Sequence, residues 1–238
     1  MRCWALALAL VLATGAAAAE PVRLTRGASA AALPRVAAPL NPATAKINAA
    51  LTRLDRRWAG FVKNCVAGGK DNEASRRVEV TMRGPRYLGL VVHDEASCGG
   101  AHADTSRTAL TYDLETGRPV DWRQLLGPRL ATASAVDNVI DGALIGLVGS
   151  PELRRLYVRT LEASGGEPAD WWKDCDDVLA DPELRFSVWP DAKTHALMLE
   201  PELAHAVQAC GDDAAISPAT LRTFGASPDL VSALVAGR

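Results

Sequence analysis

Apolar residues along this chain follow two rhythms, and the changes between them mark out its elements. Ile47, Leu51, Leu54, Trp58, Phe61, Val62 and Cys65 keep a spacing of three and four, which predicts one long amphipathic helix. Asn41 at the N-cap and Pro42 in the first turn, where a missing N–H costs nothing, set its start. The period then becomes two. Val78, Val80 and Met82 alternate with Arg77, Glu79 and Thr81; Leu88, Leu90 and Val92 alternate with Gly89, Val91 and His93; Leu110, Tyr112 and Leu114 alternate with Ala109, Thr111 and Asp113. Three antiparallel strands with one wet face are predicted, joined by turns at Gly84-Pro85 and at Cys98-Gly99-Gly100-Ala101-His102. The helix stripe needs the strands' apolar face as cover. The expected fold class is therefore α+β, a long N-terminal helix packed on a mainly antiparallel sheet, with the stretch from Tyr87 to Trp122 at its centre.

Beyond Trp122 the spacing of three and four returns. Asp121 caps a turn through Leu125-Leu126 that stops at Gly127-Pro128. Val136, Val139, Ile140, Ala143, Leu144, Leu147 and Val148 predict a helix ended by Gly149. Ser150-Pro151-Glu152 opens another, and Asp170 caps a turn holding Trp171, Trp172 and Cys175. These elements make a helical insertion over about 122–180. Leu184, Phe186 and Val188 restore the strand period, Pro190-Asp191 turns the chain into 195–199, and 204–210 fits strand or helix. Ser217-Pro218 and Ser227-Pro228 start two closing helices.

The first 19 residues have the charged, apolar and small-residue order of a secretory signal peptide, with cleavage expected near Ala19-Glu20. Residues 20–40, rich in Ala, Pro and Arg without a period, read as a flexible linker, and 41–238 as a single α+β domain. No later apolar run is long enough to span a membrane, so the expected product is periplasmic or secreted. Without Arg2 the charged residues are 25 basic against 28 acidic, a net of −3, which argues against nucleic acid or anionic lipid as partner.

Four cysteines remain after the leader: Cys65, Cys98, Cys175 and Cys210. An even count in an exported chain implies two disulfides, and four thiols allow three pairings. Cys65 with Cys98 and Cys175 with Cys210 are favoured, because each pair closes a loop within its own half of the chain. No CxxC or HxxxH spacing occurs, so neither metal nor cofactor is expected.

Candidate chemistry concentrates near the first turn. Gly99 and Gly100 allow positive φ and free N–H groups; the competing reading is a tight turn held by the Cys98 bridge. His102 titrates near neutral pH and, with Asp113 as acid/base partner, is the catalytic candidate; a structural hydrogen bond is the simpler role, since no nucleophile motif accompanies it. Asp104 is a second possible partner. Trp171 and Trp172 are candidate aromatic platforms for a sugar, although adjacent helical residues diverge by about 100°, which leaves at most one free. Asp174, Asp176 and Asp177 lack calcium-loop spacing and read as a solvated helix start.

Taken together, Tyr87-Leu88-Gly89-Leu90, Gly99-Gly100-Ala101-His102, Tyr112-Asp113-Leu114, Thr116-Gly117, Trp122 and Leu125-Leu126 resemble a bacterial exported domain of unknown function. That domain closes a lysozyme-sensing anti-sigma factor and a peptidoglycan deacetylase. The likeness covers about forty residues and departs from that family at Ala103 and at Cys98. It implies an envelope domain whose partner is peptidoglycan or a lysozyme-like protein. No deacetylase catalytic domain is present. The expected function is a non-catalytic binding or interaction module of the cell envelope; the alternative is a hydrolase of envelope glycan or peptide using His102 and Asp113.

Overall fold

The computed structural model describes residues 20–100, 103–132, 139–140, 143–144, 147–164 and 174–237. The leader lies outside the described residues, as do His102, Trp171 and Trp172. Short strands β1 (Leu24–Thr25) and β2 (Arg35–Val36) pair antiparallel ahead of helix α1 (Pro42–Ala67). Asn41 starts α1 as its sequence position implies: its side chain accepts the Thr44 N–H at 2.8 Å while the Thr44 hydroxyl accepts the Asn41 N–H at 3.0 Å. Ile47 and Leu51 are fully buried, and the stripe is progressively uncovered towards Phe61.

The stretch read as a linker is instead packed on the helix. Leu33 and Val36 are buried in the same apolar cluster as Ile47 and Leu51. The Leu33 N–H donates to Asp55 at 3.0 Å, and Arg35 pairs with the second Asp55 oxygen at 2.6 Å. Composition missed this because two apolar residues among Ala and Pro are joined by side chains of α1: Asp55 receives both a backbone and a guanidinium donor, and Asn48 pairs with the Val36 N–H and carbonyl at 2.8 and 3.0 Å. Asp55→Ala is expected to cost about 1–3 kcal/mol by leaving the Leu33 N–H unpaired. Asp55→Asn, which keeps an acceptor, should cost less in urea denaturation; equal losses would show that Asp55 acts through its charge and its pairing with Arg35.

Strands β3 (Glu73–Arg83), β4 (Tyr87–Ser97) and β5 (Asp104–Asp113) form an antiparallel sheet with β4 central and a register shift between Val80 and Met82. Leu88, Leu90, Val92, Leu110 and Tyr112 face α1. The opposite face, expected to be wet, is covered at its middle, where Val91 and Ala109 pack on Trp189.

Trp189 belongs to a second sheet. Helix α2 (Trp122–Leu126), strands β6 (Val139–Ile140), β7 (Ala143–Leu144) and β8 (Leu147–Val148), and helices α3 (Pro151–Ser164) and α4 (Asp176–Leu179) lead into it. Then follow β9 (Phe186–Asp191), β10 (Ala196–Pro201), a 3₁₀ turn at His205–Cys210, β11 (Ala214–Ile216), α5 (Pro218–Thr223) and α6 (Pro228–Ala236). The strand order is β11-β10-β9-β8, all antiparallel. The helix expected over 136–148 is thus corrected, at its described residues 139–140, 143–144 and 147–148, to short strands. Gly142 and Gly146 each cost a helix about 1 kcal/mol, and β8 gains pairing with Phe186 and Ser187 at the sheet edge. The largest core cluster lies here, where Phe186, Val188, Leu197 and Leu199 of the sheet meet Leu153, Tyr157, Leu221, Leu230 and Leu234 of the helices. Ser217 and Ser227 cap α5 and α6 with their side chains, as expected. The α+β class stands. No helix among the described residues is long and apolar enough to cross a membrane.

Candidate binding site at the hairpin end

A disulfide joins Cys65, in the last turn of α1, to Cys98, just past β4, with Cα atoms 4.9 Å apart; a second joins Cys175 to Cys210. Asn72 reinforces the first junction by donating to the Cys65 carbonyl at 2.7 Å. Gly99 and Gly100 follow in the exposed turn, and Gly99 takes φ 92°, a conformation that only glycine adopts without strain. The turn is therefore fixed to the end of the helix.

Each face of the sheet is hollowed at this end. On the helix side, lengths explain the hollow. The α1 stripe from Ile47 to Cys65 runs roughly 27 Å, whereas the apolar run of β4 from Leu88 to Val92 runs only about 13 Å. The last turns of the stripe therefore overhang Asp94, Ala96, Asp104 and Ser106, and a groove of about 360 Å³ opens beneath them. A stack of side chains builds its wall. Asp94 accepts two hydrogen bonds from Arg76, at 2.6 and 2.7 Å, and the Arg76 guanidinium lies 4.2 Å from the Trp58 ring centre. Trp58 in turn stacks on Phe61 at 5.4 Å and 29°. The largely buried Arg76–Asp94 pair holds Trp58, and Trp58 presents Phe61, which remains 46 % exposed.

On the opposite face the two sheets splay into a polar cleft of about 840 Å³. His93 stands opposite Arg77 of β3 and Arg107 of β5, so the three side chains form one row across the strands. Arg107 reaches Asp213 at 2.6 Å and Glu200 of β10 at 3.1 Å. Burial, with help from Arg77 and Arg107, holds the His93 imidazole below its ordinary value, against the opposing pull of Glu79 and Asp213. Burial also pushes the Glu200 carboxyl up to about 7, despite Arg107. The cleft therefore holds a neutral imidazole and a carboxyl that titrates near neutral pH.

Asp113 is at the other end of β5, nine residues or roughly 30 Å from Asp104 and the glycine turn. Its carboxylate is engaged by Arg86 at 2.7 Å and by the N–H groups of Glu115 and Thr116 at 2.8 and 3.0 Å. Gly117, at φ 70°, abuts α1 so closely that a Cβ there would lie 2.3 Å from the Ala43 carbonyl oxygen. The Asp-Leu-Glu-Thr-Gly turn thus fastens the sheet to the start of α1. Asp104 is exposed at the groove, while Asp174, Asp176 and Asp177 are exposed around the start of α4. No cluster able to hold a metal occurs among the described residues.

Sequence reading missed Phe61, Arg76, Asp94, His93 and Glu200. One signal for the groove was available, since the aromatic end of the helix stripe outlasts the apolar part of the strand it must cover. The cleft had none, because Glu200 and His93 are about a hundred residues apart and meet only through the packing of two sheets.

No family model matches the chain, and no curated protein matches it. Among solved structures, a DUF3298 family protein from Pseudomonas aeruginosa PAO1 is 13% identical, with 83% of this chain and 84% of that chain covered, at a TM-score of 0.45. A member of the DUF3298 family from Bacteroides fragilis is 15% identical, with 82% of this chain and 74% of that chain covered, at a TM-score of 0.46. Both neighbours carry a family label that denotes a domain of unknown function.

Proposed function

We propose that this protein is an exported, non-catalytic binding module of the bacterial cell envelope, and that the groove beneath Trp58 and Phe61 receives its partner, peptidoglycan or a lysozyme-like protein. The observation that carries this reading is the aromatic wall: a half-exposed phenyl ring set on an Arg–Trp stack, beside a turn tied down by a disulfide. Such a preordered apolar rim suits a sugar face or a protein anchor, because little side-chain freedom is lost on binding. Two disulfides and the leader support export, and the resemblance of the central forty residues to an envelope domain supports the choice of partner.

The purified protein should co-sediment with isolated peptidoglycan, or bind lysozyme, without consuming either. Phe61→Ala should weaken that binding at least about fivefold, an interface-anchor effect of roughly 1 kcal/mol, while leaving thermal unfolding nearly unchanged. Release of reducing ends or free amine would instead favour the hydrolase reading. Equal binding by the Phe61→Ala variant would remove the groove from the interface.

A further inference from the structure

Charge is spread unevenly over this protein, and α1 holds the excess of one sign. Lys46, Arg53, Arg56, Arg57 and Lys63 are all exposed on it, whereas its one carboxylate, Asp55, is taken by the Leu33 N–H and Arg35. Outside α1 the leaderless chain has 20 basic and 27 acidic residues, so the acidic total that argued against an anionic partner conceals a basic rod. At about 100° per residue the five cations share one arc of about 120°, roughly opposite the stripe of Ile47, Leu51, Trp58 and Cys65. From Lys46 to Lys63 the row runs about 26 Å.

Stability does not account for this arrangement. Arg53 has Arg56 and Arg57 as its i+3 and i+4 neighbours, where like charges destabilise a helix. None of the five lies in the last turn, where the macrodipole would favour a cation. Gly60 falls in the same arc, and an added Cβ there would meet nothing within 4 Å, so no packing requires this helix-weakening residue. Lys46, Arg53, Arg56 and Lys63 make no hydrogen bond or ion pair among the described residues. Features that weaken an element without compensation inside the fold mark a site of function.

We propose that the outer face of α1 is a docking surface for an anionic phospholipid membrane. The inference goes beyond the groove reading, since it holds whichever partner the groove takes. Charge complementarity comes first: a row of cations meets a plane of phosphate charge, and each one within a Debye length of that plane adds attraction. Shape excludes a single polymer strand. Lys46, Arg53, Arg56 and Lys63 line neither the groove nor the polar cleft, so no wall encloses a strand there, while a plane can touch a straight rod along its length. Ala45, Ala49, Gly60, Asn64 and Ala67 fill the rest of the arc, and these small side chains let the head groups come close. The arc holds no exposed large apolar residue, so attachment is electrostatic, reversible and sensitive to salt.

The test sediments the leaderless protein, residues 20–238, with vesicles of about 30 mol % phosphatidylglycerol in phosphatidylcholine and with phosphatidylcholine alone. At about 50 mM salt the anionic vesicles should bind at least about tenfold more strongly, and about 300 mM salt should remove most of that difference. Arg53→Gln, Arg56→Gln and Lys63→Gln together should weaken binding at least about tenfold, with thermal unfolding unchanged or raised because repulsion within the helix falls. Arg159→Gln, Lys193→Gln and Arg222→Gln, at exposed positions on other elements, alter the net charge equally and should change binding less than about twofold. Equal binding to both kinds of vesicle, equal losses in the two triple variants, or binding to soluble heparin with none to the vesicles would overturn the proposal. None of these results bears on Phe61 or the groove.

Discussion

Replacing Cys65 and Cys98 together by alanine is expected to lower the unfolding free energy by about 4 kcal/mol. The bridge spans 33 residues, and a closed loop of that length removes roughly this much chain entropy from the unfolded state. The loss should be felt unevenly. Beyond Leu51, α1 buries little: Trp58 is half-covered, Phe61 and Val66 are exposed, and Cys65 is the next buried residue of the helix. Without the link, the last turns of α1 and the tips of β4 and β5 should open well below the global unfolding energy. Native-state hydrogen exchange should report lost protection there and unchanged protection in β9 and β10. A double variant within about 1 kcal/mol of wild type, or one that loosens both sheets alike, would refute this account.

The Cys175–Cys210 bridge spans 35 residues in the other half and should contribute a similar amount independently. It joins the α4 region to the 3₁₀ turn ahead of β11, so its removal should leave the groove intact. Hydrogen exchange should then show lost protection around the 3₁₀ turn and β11, and unchanged protection at the end of α1.

How far the sequence reveals this architecture depends on the range of the interactions involved. Local chemistry was legible: the Asn41 cap, the serine caps of α5 and α6, the period-two strands and the two cysteine pairs all follow from short-range rules or from loop length. The apolar pairs 139–140, 143–144 and 147–148 were misread, because a pair every fourth residue satisfies both periods until strand pairing selects one. Docking of β1 and β2 was invisible because it rests on two polar side chains of α1, Asn48 and Asp55, that lie 12 to 22 residues downstream of the groups they bind. The site was legible only in part. The glycine turn was found as a fixed bend, but the residues that line the hollows beside it became candidates only once α1 was seen to overrun the apolar half of β4 and the second sheet to lie under the other face.

The second large effect is expected at Phe186, where alanine should cost about 3–5 kcal/mol and lower the melting temperature on the order of 10 °C. Phe186 is fully buried in β9, between β8 and β10, with its ring 4.9 Å from that of Tyr157. Tyr157 cannot follow into the space left behind. Its hydroxyl donates to the Asp212 carbonyl at 2.8 Å and accepts the Asp212 N–H at 3.1 Å, which ties α3 to the segment entering β11. The cavity should therefore stay open, placing the loss at the upper end of the range, whereas Phe186→Leu should cost less than half as much. Phe61→Ala provides the contrast, because the same chemical change on the exposed end of α1 should alter stability by under about 1 kcal/mol. Stability then resides mainly in the second sheet and its helices, and the helix stripe that dominates the sequence ends in an exposed aromatic surface. Equal losses at Phe61 and Phe186 in thermal and urea unfolding would contradict that division.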